Sequence, residues 1–537
     1  MTSKLGRCLM WTSPGVLALF APLSMLSANA SEVEPSVAAR AIVASGILGL
    51  SIAGAFQLLV RPTERAAVLA SATVIAIFSY GHVYDGLKEL GGIAVQIARH
   101  RYLVPGDVLL VLGLAFLLIR RPTLATGIAR WLTISAWILI VFPTVSLMWD
   151  QVPVRRSDKR PETGSLVQVQ AAEEEPPDVF YVILDGYGRE DVLTDSYGFD
   201  NSSFLSFLRR RGFYVAERAT SNYSQTLLSL ASSMNMDYLD ALLDKSDFDR
   251  TDPKMYSEMM QASRAVTLFR NLGYLTVAFA TGYHPTQLRD ADVYLTPDYL
   301  KLDREHVTYI GTGLNDFEGL FLQTTMAAAV FDAYLVEIHQ MAPGLIDQEY
   351  DKHRMRVLFT ISSLSDIVAR PGPHFVFAHV VSPHPPFVFG SRGEYLTQEA
   401  VFSLEEHACC EANVYVEQYT DQMQYLNKAL EIEIDEILNA SAGEAIIILQ
   451  GDHGPAALLD WEKPSEEGIH DRMAILNAYY FPDAAYERLY PAISPVNTFR
   501  VIFNTYFGGD FRLLGDVSYF TSTPRLSDAT RVAPPQE

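Results

Sequence analysis

The sequence predicts a multi-span helical membrane anchor followed by an α/β domain with a mostly parallel sheet flanked by helices. Three observations predict it. Residues 1–150 hold about five apolar segments of membrane-spanning length. From Asp178 onward, short apolar runs bounded by turn residues alternate with helical stretches, the pattern of a wound parallel sheet. Several of those runs end in acidic residues or histidines, and in open α/β sheets ligand groups gather beyond the carboxyl ends of strands.

The apolar segments read as 8–28, 37–60, 66–84, 104–119 and 131–149. They account for a hydrophobic content of 49%, high for a soluble enzyme. Lys4 and Arg7, the loop Arg61-Pro62-Thr63-Glu64-Arg65, and the loop from Arg120 to Arg130 are short and basic. The positive-inside rule places them in the cytoplasm and everything after Trp149 outside it; Lys88, Arg99 and Arg101 run against the rule. An alternative reading takes Ala28-Asn29-Ala30 as a signal-peptidase site, with the large domain still outside. No Asp, Glu or Lys lies deep within a span, which favours an anchor over a transporter. The polar stretch 151–177 reads as a linker, and 178–537 as the α/β domain.

At 537 residues the chain is long enough for two or three units. A net charge of −22 without a long basic run argues against nucleic-acid binding. The three cysteines, Cys8 and the adjacent Cys409 and Cys410, form no disulfide framework or zinc-finger spacing. The adjacent pair reads as two reduced or buried thiols.

In the second half, the strand 179–184 runs into Asp185-Gly186. Residues 204–211 read as a short helix, 274–280 as a strand, and 375–381 as a strand leading to Ser382-Pro383-His384-Pro385-Pro386. A long helix spans 415–438. The run 445–449 ends in Gly451-Asp452-His453-Gly454-Pro455, and 473–481 reads as a late strand preceded by His470. A carboxylate beside an imidazole suits Zn²⁺ or Mn²⁺. Asp290 and Asp292 follow another strand and read as surface carboxylates or further contributors. The stretches 240–263 and 311–349 read as helical insertions in this domain, expected to shape a substrate site.

Between the first two strands lies Thr220-Ser221-Asn222-Tyr223-Ser224-Gln225-Thr226-Leu227-Leu228-Ser229-Leu230, polar up to Thr226 and apolar-periodic afterwards, as at a helix start. Thr226 either caps that helix or presents a hydroxyl where backbone N–H groups favour anions. A nearby divalent cation would make that hydroxyl a nucleophile for a phosphate or sulfate ester.

Asp185, Thr226, Asp452 and His453, in that order, resemble the alkaline-phosphatase superfamily and, within it, the sulfatase-like hydrolases and transferases. The chain is most similar to the membrane-anchored branch: lipoteichoic acid synthase, the periplasmic phosphoglycerol transferases and the lipid A phosphoethanolamine transferases. In that branch the nucleophile is a threonine often followed by a small or apolar pair and Ser-Leu, as in Thr226-Leu227-Leu228-Ser229-Leu230. The resemblance implies an alkaline-phosphatase-like fold and a divalent metal (Zn or Mn, alternatively Mg) held by Asp185, Thr226, Asp452 and His453. It also implies substrate-binding or second-metal roles for His384 and His470. The implied activity is transfer of a phospho-head group from a phospholipid donor to a periplasmic glycan or lipid acceptor, at a bacterial inner membrane. A phosphate- or sulfate-ester hydrolase and an inert membrane scaffold are the alternatives. The chain departs from the sulfatases in lacking Cys-x-Pro-x-Arg, and from the lipoteichoic acid branch in having Asp185 where that branch has Glu.

Overall fold

The computed structural model describes residues 4–30, 35–90, 94, 97–150, 176–249, 253–297, 314–330, 344–396, 402–404, 406 and 409–532. The stretch 151–175 of the expected linker lies outside them. The chain forms two units, one of Met1–Ser157, Gly311–Glu349 and Gln398–Phe402, the other of Asp158–Ile310, Tyr350–Thr397 and Ser403–Glu537.

The first unit contains five helices long and apolar enough to cross a membrane, as the sequence predicts. They are α1 (Lys4–Ala28), α2 (Ala39–Leu59), α3 (Thr63–Glu89), α4 (His100–Arg120) and α5 (Pro122–Asp150). Of the α3 span 56% is buried, against 6% of the α4 span, so α3 is central and α4 peripheral. Leu109, Leu110 and Phe116 on α4 and Ile138 and Phe142 on α5 face outward. Such apolar exposure suits contact with lipid tails.

The segment 311–349 belongs to this helical unit, whereas the sequence reading made it an insertion of the catalytic domain. Its helix Asp316–Gln323 opens with a capping box between Asn315 and Glu318. Phe317 and Phe321 enter a core with Val16, Leu17, Val74, Phe78 and Ala136. Arg40 forks onto Glu318 at 2.8 and 2.6 Å, and Asn315 Nδ2 donates to the Val37 carbonyl. The Gly81 N–H donates to Thr324 O at 2.9 Å, and Ile77 O accepts from the Met326 N–H at 2.8 Å. Ile77 O and Gly81 N are the pair that bond one another in a regular helix. Only glycine allows this approach, since a Cβ at position 81 would lie 2.4 Å from Gln323 O.

The second unit is built on a seven-stranded sheet in the order β2-β7-β6-β1-β5-β3-β4. The strands are β1 (Val179–Leu184), β2 (Tyr214–Val215), β3 (Leu275–Phe279), β4 (Val293–Leu295), β5 (His374–Val380), β6 (Ile446–Gly451) and β7 (Asn477–Tyr480). β6, β1, β5, β3 and β4 run parallel, while β7 is antiparallel to β6 and β2 to β7. The central strands β1, β5 and β6 are buried throughout, which explains why their sequences are continuous apolar runs rather than alternating ones. Phe269, Phe375, Phe377, Phe499 and Phe503 fill the core on one face with Tyr181.

Two expectations are corrected here. Residue 473 ends a helix, Glu466–Met473, and the last strand of the seven-stranded sheet starts only at Asn477. Ser465 accepts from the Gly468 N–H, and Glu466 and Glu467 occupy the first turn, a combination that starts a helix. His470 therefore sits on a helix rather than at a strand start. Cys409 and Cys410 are joined as a disulfide instead of forming two reduced or buried thiols. The stretch 240–263 contributes Met255, Tyr256 and Met260 to the core beside Leu227 and Leu228, a packing role for a segment expected to shape a substrate site.

Candidate metal centre

Three adjacent strands of the sheet centre, β6, β1 and β5, deliver the site at their carboxyl ends. Leu184 pairs with Gly451 on one side and Val380 on the other. One residue beyond that register, Asp185 and Asp452 stand side by side, and the loop after β5 brings His384, whose N–H donates to Asp185 O at 2.9 Å. Asp185, Asp452 and His453 are buried and offer ligand atoms within 4.8 Å of one another. His453 Nε2 lies 3.4 Å from Asp185 Oδ1 and 3.3 Å from Asp452 Oδ2. The Asp452 carbonyl accepts from Ser221 Oγ at 2.5 Å and Ser229 Oγ at 2.7 Å, and its Oδ1 accepts from the Gly186 N–H. Gly454 is required by crowding: a Cβ there would lie 2.0 Å from Asp471 O.

Thr226 is the first residue of the helix Thr226–Asn235. The residue before it, Gln225, is extended and makes no side-chain cap. The Thr226 hydroxyl leaves the backbone uncapped and instead points to His453 Nε2, at 3.0 Å. Thr226 is half-buried, so the hydroxyl is reachable from outside.

The donor set fits a divalent cation. Asp185 Oδ1 and Asp452 Oδ2 are buried and have no hydrogen-bond partner. Two carboxylate oxygens left this way are costly unless a cation satisfies them. His453 Nδ1 is 2.9 Å from Gly454 O, so Nδ1–H donates there and the Nε2 lone pair faces the carboxylates. Two carboxylate oxygens, one imidazole nitrogen and one hydroxyl make a four-ligand set of the type zinc and manganese accept.

The electrostatics agree. Burial raises the Asp185 carboxyl, but His384, His379 and His453 more than offset this and hold it well below the usual carboxylate range. Burial, then the Arg472 guanidinium, push His453 down, which keeps it neutral and able to ligate. Burial also raises Glu406, yet Arg472 beside it, with His384, keeps it below the usual value and ionised.

The expected residues do not all converge. His384 is buried, with Nε2 3.9 Å from Glu406 Oε2 and its ring 6.2 Å from that of His453. His470 is half-exposed and turns elsewhere, its Nε2 3.3 Å from Arg189 Nη2 and 3.9 Å from Asp191 Oδ2. Asp292 binds the backbone N–H and hydroxyl of Thr276, near the amino end of β3 and so at the opposite edge of the sheet. Asp290 precedes it there, its carbonyl bound by Arg270.

Four residues at the site are missing from the sequence reading. His379 on β5 lies 3.2 Å from Asp185 Oδ2, and its Nδ1 meets Thr286 Oγ1 at 2.9 Å. His353, on the helix Gly344–Ser362, is fully buried and interacts electrostatically with His384 and Asp185. Arg472 and Glu406 form an ion pair at 2.6 Å, and Arg472 reaches His453. Only Arg472, two residues after His470, carried a positional signal in the sequence.

Fold and site thus define a protein with a helical membrane unit and an α/β unit bearing a candidate divalent-metal centre with a hydroxyl poised beside it. No family model matches the chain, and no curated protein does. Among solved structures, the chain is similar to the integral membrane lipooligosaccharide phosphoethanolamine transferase A (EptA) of Neisseria meningitidis, at 11% identity over 94% of this chain and 95% of that one, TM-score 0.38. It is similar to the periplasmic domain of EptC from Escherichia coli in complex with Zn, at 11% identity over 68% and 96%, TM-score 0.41. A third similarity is to the lipoteichoic acid synthase LtaP of Listeria monocytogenes, at 12% identity over 67% and 78%, TM-score 0.37.

Proposed function

We propose that the protein is a membrane-anchored, metal-dependent phosphotransferase of the alkaline-phosphatase superfamily. It moves a phospho-head group from a phospholipid to a glycan or lipid acceptor on the extracytoplasmic side of a bacterial inner membrane. The carrying observation is the Thr226 hydroxyl at a helix start, 3.0 Å from His453 Nε2 and beside two buried carboxylate oxygens without partners. Asp185, Asp452 and His453 would hold the cation, zinc or manganese or alternatively magnesium, with Thr226 as a further ligand. When bound, the cation supplies the positive charge that favours the threonine alkoxide and offsets the charge of the phosphoryl group.

Thr226 Oγ attacks phosphorus, forming the Oγ–P bond as the P–O bond to the lipid alcohol breaks. The hydroxyl proton leaves to solvent, and His384, buried beside the centre, donates the proton to the departing alcohol oxygen. The acceptor hydroxyl then attacks the phosphothreonine, and Thr226 departs and is reprotonated. His470 stands apart, with Arg189, and serves an outer part of the substrate. The membrane helices keep a lipid donor at high effective concentration.

Intact mass of the detergent-purified full chain after incubation with Zn²⁺ and mixed phospholipids tests this. The expected result is an adduct of one phosphorylated head group that is absent in Thr226→Ala. A metal-loaded chain that cleaves a reporter phosphodiester without ever transferring to an added sugar or lipid alcohol would make it a hydrolase.

A further inference from the structure

Arg472 is buried, and three of its four hydrogen bonds are independent of the metal centre. Nε donates to Ser224 O at 2.9 Å, and Nη1 donates to Glu406 Oε2 at 2.6 Å and to Gly454 O at 3.1 Å. The guanidinium also lies 5.1 Å over the Trp461 ring. These contacts aim the remaining nitrogen, Nη2, at His453 Nε2, 3.1 Å away. Thr226 Oγ1 approaches the same atom at 3.0 Å.

His453 Nε2 has one in-plane lone pair, and it is the atom a cation takes. Cation and Arg472 therefore compete for it. Once it is taken, Nη2 keeps its place through the other three bonds but loses its acceptor. A desolvated, charged N–H group without an acceptor is costly. A phosphoryl oxygen on the Thr226 side would restore the bond, in the charge-assisted form that arginine makes best.

We propose that Arg472 exchanges acceptors: it binds His453 Nε2 in the metal-free centre and a phosphoryl oxygen of the substrate in the loaded one. Arg472 is then a catalytic residue that contacts substrate, and Glu406 is the positioning residue that fixes it. Metal and phosphate binding become coupled, because each relieves the cost the other leaves. This rests on the metal-centre reading above and names what that centre uses to grip its substrate.

The test measures zinc affinity of the full chain in detergent, with a competing chelator, with and without inorganic phosphate. In the wild type, phosphate should tighten zinc binding. Arg472→Gln should bind zinc as tightly as the wild type or up to tenfold more tightly without phosphate, because the competing cation is gone. Its phosphate enhancement should fall at least tenfold. Arg472→Lys, which keeps charge but not the fork, should fall between. Glu406→Gln should weaken the enhancement severalfold, with a zinc affinity without phosphate between those of the wild type and Arg472→Gln. Enhancement of wild-type size in both Arg472→Gln and Arg472→Lys overturns the exchange while the metal centre stands. Loss of zinc binding in both Arg472 variants, with Glu406→Gln behaving as wild type, makes Arg472 structural and also overturns it. A wild type that takes up no zinc overturns both this inference and the function it rests on.

Discussion

Thr226 Oγ1 lies 3.0 Å from His453 Nε2, although the two residues are 227 positions apart and sit on different elements, a helix start and a strand end. This proximity turns a residue that could be a simple helix cap into a nucleophile candidate. Thr226→Ala should lower turnover of a reporter phosphodiester by roughly a hundredfold or more and abolish the covalent adduct. Thr226→Ser, which keeps the oxygen, should retain measurable turnover. Single-turnover kinetics and intact mass on both variants check this.

Asp185 and Asp452 face one another as buried carboxylates, and a divalent cation held between them would offset their repulsion. Removing the metal with a chelator should lower the melting temperature of the wild type. In Asp452→Asn, one of the two charges is already gone, so the chelator should have a much smaller effect, and metal affinity should drop by at least tenfold to a hundredfold. Differential scanning fluorimetry with metal quantification checks both effects.

His353 is fully buried, and burial together with Arg356 and His384 pushes its pKa down to about 3. An unfolded histidine titrates near 6.5. Between those values the unfolded chain binds more protons than the folded one, so stability rises with pH. Full stability is present above pH ~6.5 and falls as the pH drops below it, by at most about 1.4 kcal/mol per pH unit from this one group. Asp185, held below its usual value, adds a loss in the same direction only below pH ~4. His353→Gln should flatten the melting temperature between pH 5 and 6.5, as measured on metal-free protein so that ligand protonation does not contribute.

Gly81 meets Thr324 with no room for a side chain. Gly81→Val should expel the segment 314–330 from the helical unit and expose Phe317 and Phe321. The expected readout is a lower melting temperature in detergent and rapid proteolysis within 314–330. Arg40→Ala should act in the same direction but more weakly, since the Arg40 side chain is half-exposed.

The central strands and five spans were legible because each obeys a local rule: continuous apolar runs for buried parallel strands, and length with hydropathy for the spans. Asp185, Asp452 and His453 were legible because strand ends point to a site. Arg472, Glu406, His353 and His379 were not. His379 lies inside an apolar strand, and Glu406 in a loop without periodicity, so neither differs locally from a packing or solvated residue. Their roles arise from contacts across long sequence separations. His470 was drawn into the site because 473–481 looked like one strand; Ser465 and the two glutamates after it were the overlooked helix signal. The segment 311–349 failed for a similar reason: its apolar residues fit a core, but nothing in its sequence says which core.

That last segment has a consequence in time. Gly81 and Thr324 are separated by 243 positions of chain. At about 5–20 residues per second, the ribosome needs roughly 10–50 s to travel from one to the other. All five helices emerge before the residues that complete their core. Throughout that interval the nascent chain presents an open notch at Ile77 and Gly81, with Val74 and Phe78 lacking Phe317 and Phe321 as neighbours. A ribosome stalled anywhere in between leaves an anchor that is fully made yet unfinished, the form that membrane quality control would meet first.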